Sequence, residues 1–165
     1  METIYYDHQF NSNEWFIIIM LIIGYSVIWA LPRRFSRGLS LVIVLIGIYI
    51  GLLMDHTISI VPFDYYDVND NSSYQISDFF TYVMYGPYSY LFIYLYNRWR
   101  VEVKYAPLYI LVWVIFGLGL EWFGVVMGVF HYKNGYQIYY SFPLYFIFQC
   151  VLLLLYYVMM RKQSI

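Results

Sequence analysis

With 165 residues, 62% of them apolar and only 12% charged, the chain lies outside the composition of soluble globular proteins. A net charge of −1 offers no basic face to a nucleic acid, and the single cysteine, Cys150, excludes an intrachain disulfide. The length allows one domain, and the mean hydropathy of +0.60 makes residues 1–165 a single membrane domain.

The first stretch, METIYYDHQFNSNE, contains Glu2, Asp7 and Glu14 and no Lys or Arg, unlike the positive start of a signal peptide. A first apolar run over 15–31 is followed by Arg33, Arg34 and Arg37, which holds that end in the cytoplasm and places the N-terminus outside. A second span covers 39–54, with Gly47, Gly51 and Asp55 at i, i+4 and i+8 on one face. Residues 55–78 hold Asp55, Asp64, Asp67, Asp70 and Asp78 with no Lys or Arg, and read as an ordered outer cap.

A third span, 79–96, carries Gly86-Pro87 at its middle and should kink there, with Ser77 or Asp78 capping its first turn. The loop after it bears Arg98, Arg100 and Lys104 and reads as cytoplasmic. A fourth span covers 105–130. A short outer loop turning at Asn134-Gly135 leads to a fifth, 142–160, which ends in Arg161-Lys162. Eight of the nine basic residues then fall on the inner side, Lys133 being the exception. The expected fold is an all-α polytopic transmembrane bundle of five spans, N-terminus outside and C-terminus cytoplasmic.

The fourth span holds the one deep carboxylate, Glu121, roughly 24 Å along the helix from Tyr105 at about 1.5 Å per residue, hence in the outer third of the membrane. Gly117, Glu121, Gly124 and Gly128 share a helical face, and Gly124-x-x-x-Gly128 has the spacing of closely packed membrane helices. The glycine faces of the second and fourth spans are therefore expected to meet. A carboxylate at that depth is costly, so it needs a partner or a purpose.

Glu121, Asp55, His56 and His131 all fall on the outer side and form the candidate acid–base or metal group. No HExxH, no HxxxH and no paired DxxD on a helix supports a metal, and Asp55 and His56 diverge by ~100° on a helix. The plainer reading has Asp55 near a helix end, the histidines in the headgroup zone and Glu121 bonded to some of the 22 tyrosines. Asp67, Asn69, Asn71 and Asp78 have the spacing of a calcium loop, although Ser72 stands where the turn glycine belongs and Asp78 where a bidentate Glu belongs. Five spans give no inverted repeat, which weighs against a complete transport pathway in one chain.

The stretches VPFDYYDVND…YVMYGPYSYLFIY and EWFGVVMGVFHYKNGY…YSFPLYF resemble a family of small uncharacterised integral membrane proteins of spore-forming Bacillus-type bacteria. That resemblance implies a bacterial cytoplasmic membrane and this topology, and no reaction. A fainter likeness is to membrane-embedded lycopene cyclases, whose acidic P-x-E-E pair is matched here by Pro143-Leu144-Tyr145-Phe146, without an acid. The expected function is a non-catalytic bundle that binds a lipid-like ligand, a partner membrane protein or a second copy through its aromatic outer half. The alternative is an outward-facing enzyme on an isoprenoid or lipid. Convergence of three of the four candidate side chains around one pocket would favour the enzyme, and dispersion the binder. No cofactor is implied.

Overall fold

The structure is a computed structural model that describes residues 3–163. It is mostly helical: α1 (Ser12–Ala30), α2 (Arg37–Ile58), α3 (Ile76–Val83), α4 (Tyr85–Arg98), α5 (Ala106–Val126) and α6 (Ser141–Gln163). Four stretches are long and apolar enough to cross a membrane: Ser12–Ala30, Arg37–Ile58, Val103–Val126 and Ile138–Arg161.

The remaining predicted span is divided between α3 and α4, with the break at Met84. Pro87 has no N–H to give the carbonyl four residues back, so Val83 O is left over. The Tyr25 hydroxyl, from α1, donates to that carbonyl at 3.1 Å. A freed backbone group inside an apolar bundle is thus satisfied by a side chain from the neighbouring helix.

α4 is the buried centre of the bundle. Tyr90, Phe92, Ile93, Tyr94 and Tyr96 are all buried, and α2 lies against it along its length. Its lower hydropathy follows from this position, because its faces meet protein and its tyrosines can find partners. The Tyr96 and Tyr157 hydroxyls lie 2.5 Å apart, Tyr109 donates to Phe92 O, and Asn97 donates to Tyr156. The apolar residues of the other helices, such as Leu45, Val112, Ile115 and Trp122, point outward.

The glycine faces do not meet each other as expected. A Cβ on Gly47 would lie 2.4 Å from Ser89 Oγ and 2.7 Å from Tyr85 O, and one on Gly51 would lie 2.4 Å from the Tyr85 ring. The small face of α2 therefore receives α4. Gly117 makes room for the Tyr88 hydroxyl and Gly124 for the Phe130 ring. A run of small residues records that something approaches closely, without naming it.

The Gly124-x-x-x-Gly128 pair is also not a helix-packing motif here, because the helix ends first. Gly128 has φ +82°, Gly128 N–H bonds Val125 O, and Val129 N–H bonds Gly124 O at 2.8 Å. This is a Schellman ending, in which a left-handed glycine lets the chain cap its own last carbonyls. α5 thus stops four residues short of the predicted Phe130, whereas α2 runs on past the predicted Met54 to Ile58.

The fold is not wholly α-helical. β1 (Tyr66–Val68) and β2 (Phe130–Tyr132) form an antiparallel ribbon, pairing Tyr66 with Tyr132, Asp67 with His131 and Val68 with Phe130. The N-terminal segment crosses the cap beside it: Tyr6 N–H bonds Asp70 O at 2.7 Å and Ser72 N–H bonds Ile4 O. Asn134 and Gly135, both at positive φ, make the tight turn after β2.

Candidate functional site

Side chains alternate across a strand, so the ribbon has two unlike faces. Tyr66, Val68, Phe130 and Tyr132 point inward and roof a cavity of about 110 Å³ whose walls include Asp55, Tyr85, Glu121 and Tyr145. Asp67 and His131 sit on the opposite face. The strand register therefore separates His131 from Glu121, although the two are only ten positions apart.

Glu121 is held at the outer end of α5 by two neighbours. The Tyr132 hydroxyl donates to its Oε1 at 2.5 Å, and Ser141 Oγ, at the head of α6, donates to the same oxygen at 2.7 Å. Since Ser141 gives its proton to Glu121, the Tyr136 hydroxyl at 2.8 Å must donate to Ser141. The Tyr145 hydroxyl interacts with the same carboxyl group, yet Oε2 has no hydrogen bond of regular geometry and is buried.

Asp55 lies in the last turn of α2 and reaches the cavity from another side. Tyr82 donates to its Oδ2 and Ser59 to its Oδ1 at 2.9 Å. His56, next along the helix, is exposed and does not line the cavity; its Nδ1 lies 2.9 Å from Leu52 O and 3.8 Å from Asp55 Oδ2, within ion-pair reach when protonated. Of the four candidate residues, two carboxylates line one cavity, each with separate hydroxyl partners, and neither histidine lines it.

His131 instead stacks flat on Tyr6, with ring centroids 3.8 Å apart. Tyr6 donates to Asp67 Oδ2 at 2.6 Å, which ties the N-terminal segment to the ribbon. Burial lowers the His131 pKa, against the raising effect of the Asn69 and Gly128 backbone and of Asp67 and Asp70. The neutral ring is thus the form that folds. For a histidine with a lowered folded-state pKa, stability is full above the ordinary value of 6.5 and falls as pH drops below it. Limited proteolysis of the N-terminal segment should therefore speed up below pH 6.5 in the native chain. In His131→Phe, which keeps a stacking ring, the rate should stay flat over that window.

The calcium-like spacing is used for building the cap. Asp67 Oδ1 and Asp64 Oδ1 share the Lys133 ammonium at 2.8 and 2.6 Å. Asn69, at φ +59°, donates to Asp78 Oδ1 at 2.7 Å and to Thr81. Asn71 Oδ1 accepts from Ser73, and Asp78 Oδ2 accepts from Gln75 N–H. Asp78 is thus the N3 residue of a capping box whose N-cap is Gln75, rather than itself the cap. Among the described residues, no group of three or more His, Cys, Asp and Glu side chains is arranged to hold a metal ion. Burial works against the Lys133 charge, but its two carboxylate partners outweigh that and raise its pKa.

Several residues of the site have no marker in the sequence. Gln149 lines the same cavity, from α6, and its Nε2 donates to the Tyr88 hydroxyl at 3.0 Å. A second cavity of about 190 Å³ lies between α1, α4 and α5, lined by apolar residues including Met20, Leu91, Trp113 and Leu120. It forms an apolar groove between these helices. It shares with the first cavity a wall made of Tyr85, Tyr88, Glu121, Phe130 and Tyr145.

No protein-family model, curated protein or solved structure matches this chain. Fold and site together define a mostly helical protein with membrane-length apolar helices, an ordered polar cap and a tyrosine-lined cavity beneath it.

Proposed function

We propose that this chain is a non-catalytic, five-span protein of a bacterial cytoplasmic membrane that binds a lipid-like ligand. The observation that carries the reading is the apolar groove between α1, α4 and α5, which meets the buried carboxylate Glu121 at its inner wall. Such a pairing of a long apolar surface with a few fixed polar groups suits an amphiphile entering from the bilayer. The separate tethering of Asp55 and Glu121, and the absence of both histidines from their cavity, favour the binder over the enzyme.

The topology within this proposal has the N-terminus and cap outside and the C-terminus inside, with α3 and α4 together as the third span. It is supported by the basic loops after α1 and α4 and by the acidic cap. Single cysteines at the exposed positions Ser12 and Asn134 should react with an impermeant maleimide on intact cells, and cysteines at Ser36 and Asn97 only after permeabilisation. Reaction at Ser36 in intact cells would overturn the orientation.

The ligand reading is tested by fluorescence, since Trp113 lines the groove. Amphiphiles with a brominated chain, added to the purified protein in maltoside detergent, should quench emission saturably. The saturable part should be lost in Trp113→Phe. Quenching that rises linearly and equally in both proteins would refute a groove site.

A further inference from the structure

The polar atoms left over inside the molecule are of one kind. Three buried side-chain atoms have no hydrogen bond of regular geometry among the described residues, and with Glu121 ionised all three are acceptors: Asn69 Oδ1, Glu121 Oε2 and Gln149 Oε1. The last two belong to side chains that line the cavity under the ribbon, and both residues are more than nine-tenths buried, Glu121 at 8% exposure and Gln149 at 4%.

The orientation of Gln149 follows from its neighbour. Tyr88 gives its own proton to Trp113 O at 2.6 Å, so towards Gln149 it can only accept. That fixes Nε2 on Tyr88 and leaves Oε1 open. A buried acceptor without a donor costs about 1–3 kcal/mol. Gln149 Oε1 has none, and the Tyr145 hydroxyl meets the Glu121 carboxyl group without regular geometry, so the cavity favours a donor from outside the chain.

Charge points the same way. Two carboxylates, Asp55 and Glu121, line this cavity, and no Lys, Arg or His does. Lys133, the basic residue of the cap, is already bound by Asp64 and Asp67 on the far face of the ribbon. The rest of the wall is largely aromatic: Tyr66, Tyr82, Tyr85, Tyr132, Tyr136 and Tyr145 all contribute. Aromatic rings with buried carboxylates favour an organic ammonium, through the negative ring face and through charge-assisted hydrogen bonds. The volume of about 110 Å³ is several times the roughly 10–15 Å³ that one water needs, so a small alkylammonium head has room.

Resting on the groove as an amphiphile site, we propose that the ligand carries a protonated amine head, seated under the ribbon between Glu121 and Gln149. Its chain leaves past the shared tyrosine wall into the groove. Anionic heads, phosphate and carboxylate alike, are rejected by the two acids. Glu121 Oε2 and Gln149 Oε1 each accept one N–H of the head.

The experiment compares three probes on the full-length protein in maltoside detergent at pH 7: bromododecylamine, bromododecanol and bromododecanoate, each read by saturable quenching of Trp113. The amine should bind about tenfold or more tightly than the alcohol, and the carboxylate more weakly than either. Glu121→Gln should bring amine and alcohol within about threefold of each other. Gln149→Met, which leaves the carboxylates in place, should weaken the amine about tenfold, and it stands as the variant test if Glu121→Gln does not fold. Saturable binding of all three probes with equal affinity, or a preference for the carboxylate, overturns the amine head while leaving the groove. A complete lack of saturable quenching overturns the groove and the head together. An amine preference unchanged in Glu121→Gln and Gln149→Met overturns the placement of the head.

Discussion

Replacing Gly47 with Leu should abolish the folded bundle, whereas replacing Gly119 with Leu should leave it intact. The added side chain at Gly47 begins 2.7 Å from the Tyr85 carbonyl and within 2.4 Å of Ser89 Oγ. A backbone carbonyl cannot swing aside as a side-chain tip can, so α2 and α4 must separate. Overpacking of this sort costs about 3 kcal/mol or more, a large share of the total stability of a domain. Gly119 has nothing within 4 Å of its Cβ position and faces outward, so a leucine there meets only the surrounding apolar medium. The expected change is within about 0.5 kcal/mol. Monodispersity on size exclusion after heating separates the two, and a Gly47→Leu protein as heat-stable as the native chain would remove the α2–α4 contact.

Lys133→Met should loosen the cap by about 2–3 kcal/mol. It would leave Asp64 and Asp67 facing each other without the ammonium that bridges them, and Asp67 is 5% exposed. Breaking a fully buried pair costs more, but Lys133 and Asp64 keep some contact with solvent. Adding Asp64→Asn to Lys133→Met should recover part of the loss, because one of the unpaired charges is then gone. The denaturation midpoint of the three proteins reports this. Equal midpoints for the native chain and Lys133→Met would mean that the bridge contributes nothing to holding the ribbon down.

Much of the helical frame was legible in the sequence, because a run of apolar residues closed by arginines or by an asparagine–glycine turn has few other structures open to it. The break in the third span was legible for the same kind of reason: Pro87 must forfeit one hydrogen bond wherever it sits. The ribbon was not. Strands of three residues in a tyrosine-rich segment leave no period long enough to read, and β2 begins only four residues after a helix whose apolar pattern continues straight through it. Gly128 misled for a related reason, since a glycine four residues from another glycine reads alike whether it packs a helix or ends one.

The site was legible only in its acids. Glu121 stands out because a carboxylate in an apolar run has no neutral explanation, and Asp55 because it follows two spaced glycines. Their partners carry no such contrast. Ser141 and Tyr132 are 20 and 11 residues from Glu121, and nothing in that spacing announces the turn that returns the chain. Gln149 looks from the sequence like one polar residue in an apolar helix; its meaning comes from Tyr88, which lies 61 positions away and has only an acceptor to offer it. His131 was grouped with Glu121 by depth, and the two-residue alternation of a strand, which depth does not reveal, set them on opposite faces.

The central claim is that the groove between α1, α4 and α5 holds the chain of an amphiphile whose head reaches Glu121. It is met most directly by native mass spectrometry of the native protein and of Leu120→Trp, which fills the groove without touching the polar wall. Both proteins are loaded with bromododecylamine and released from detergent under the same conditions. The account predicts one retained amphiphile on the native chain and none on Leu120→Trp, with both proteins otherwise folded alike. An amphiphile retained equally by both, or by neither, would contradict it.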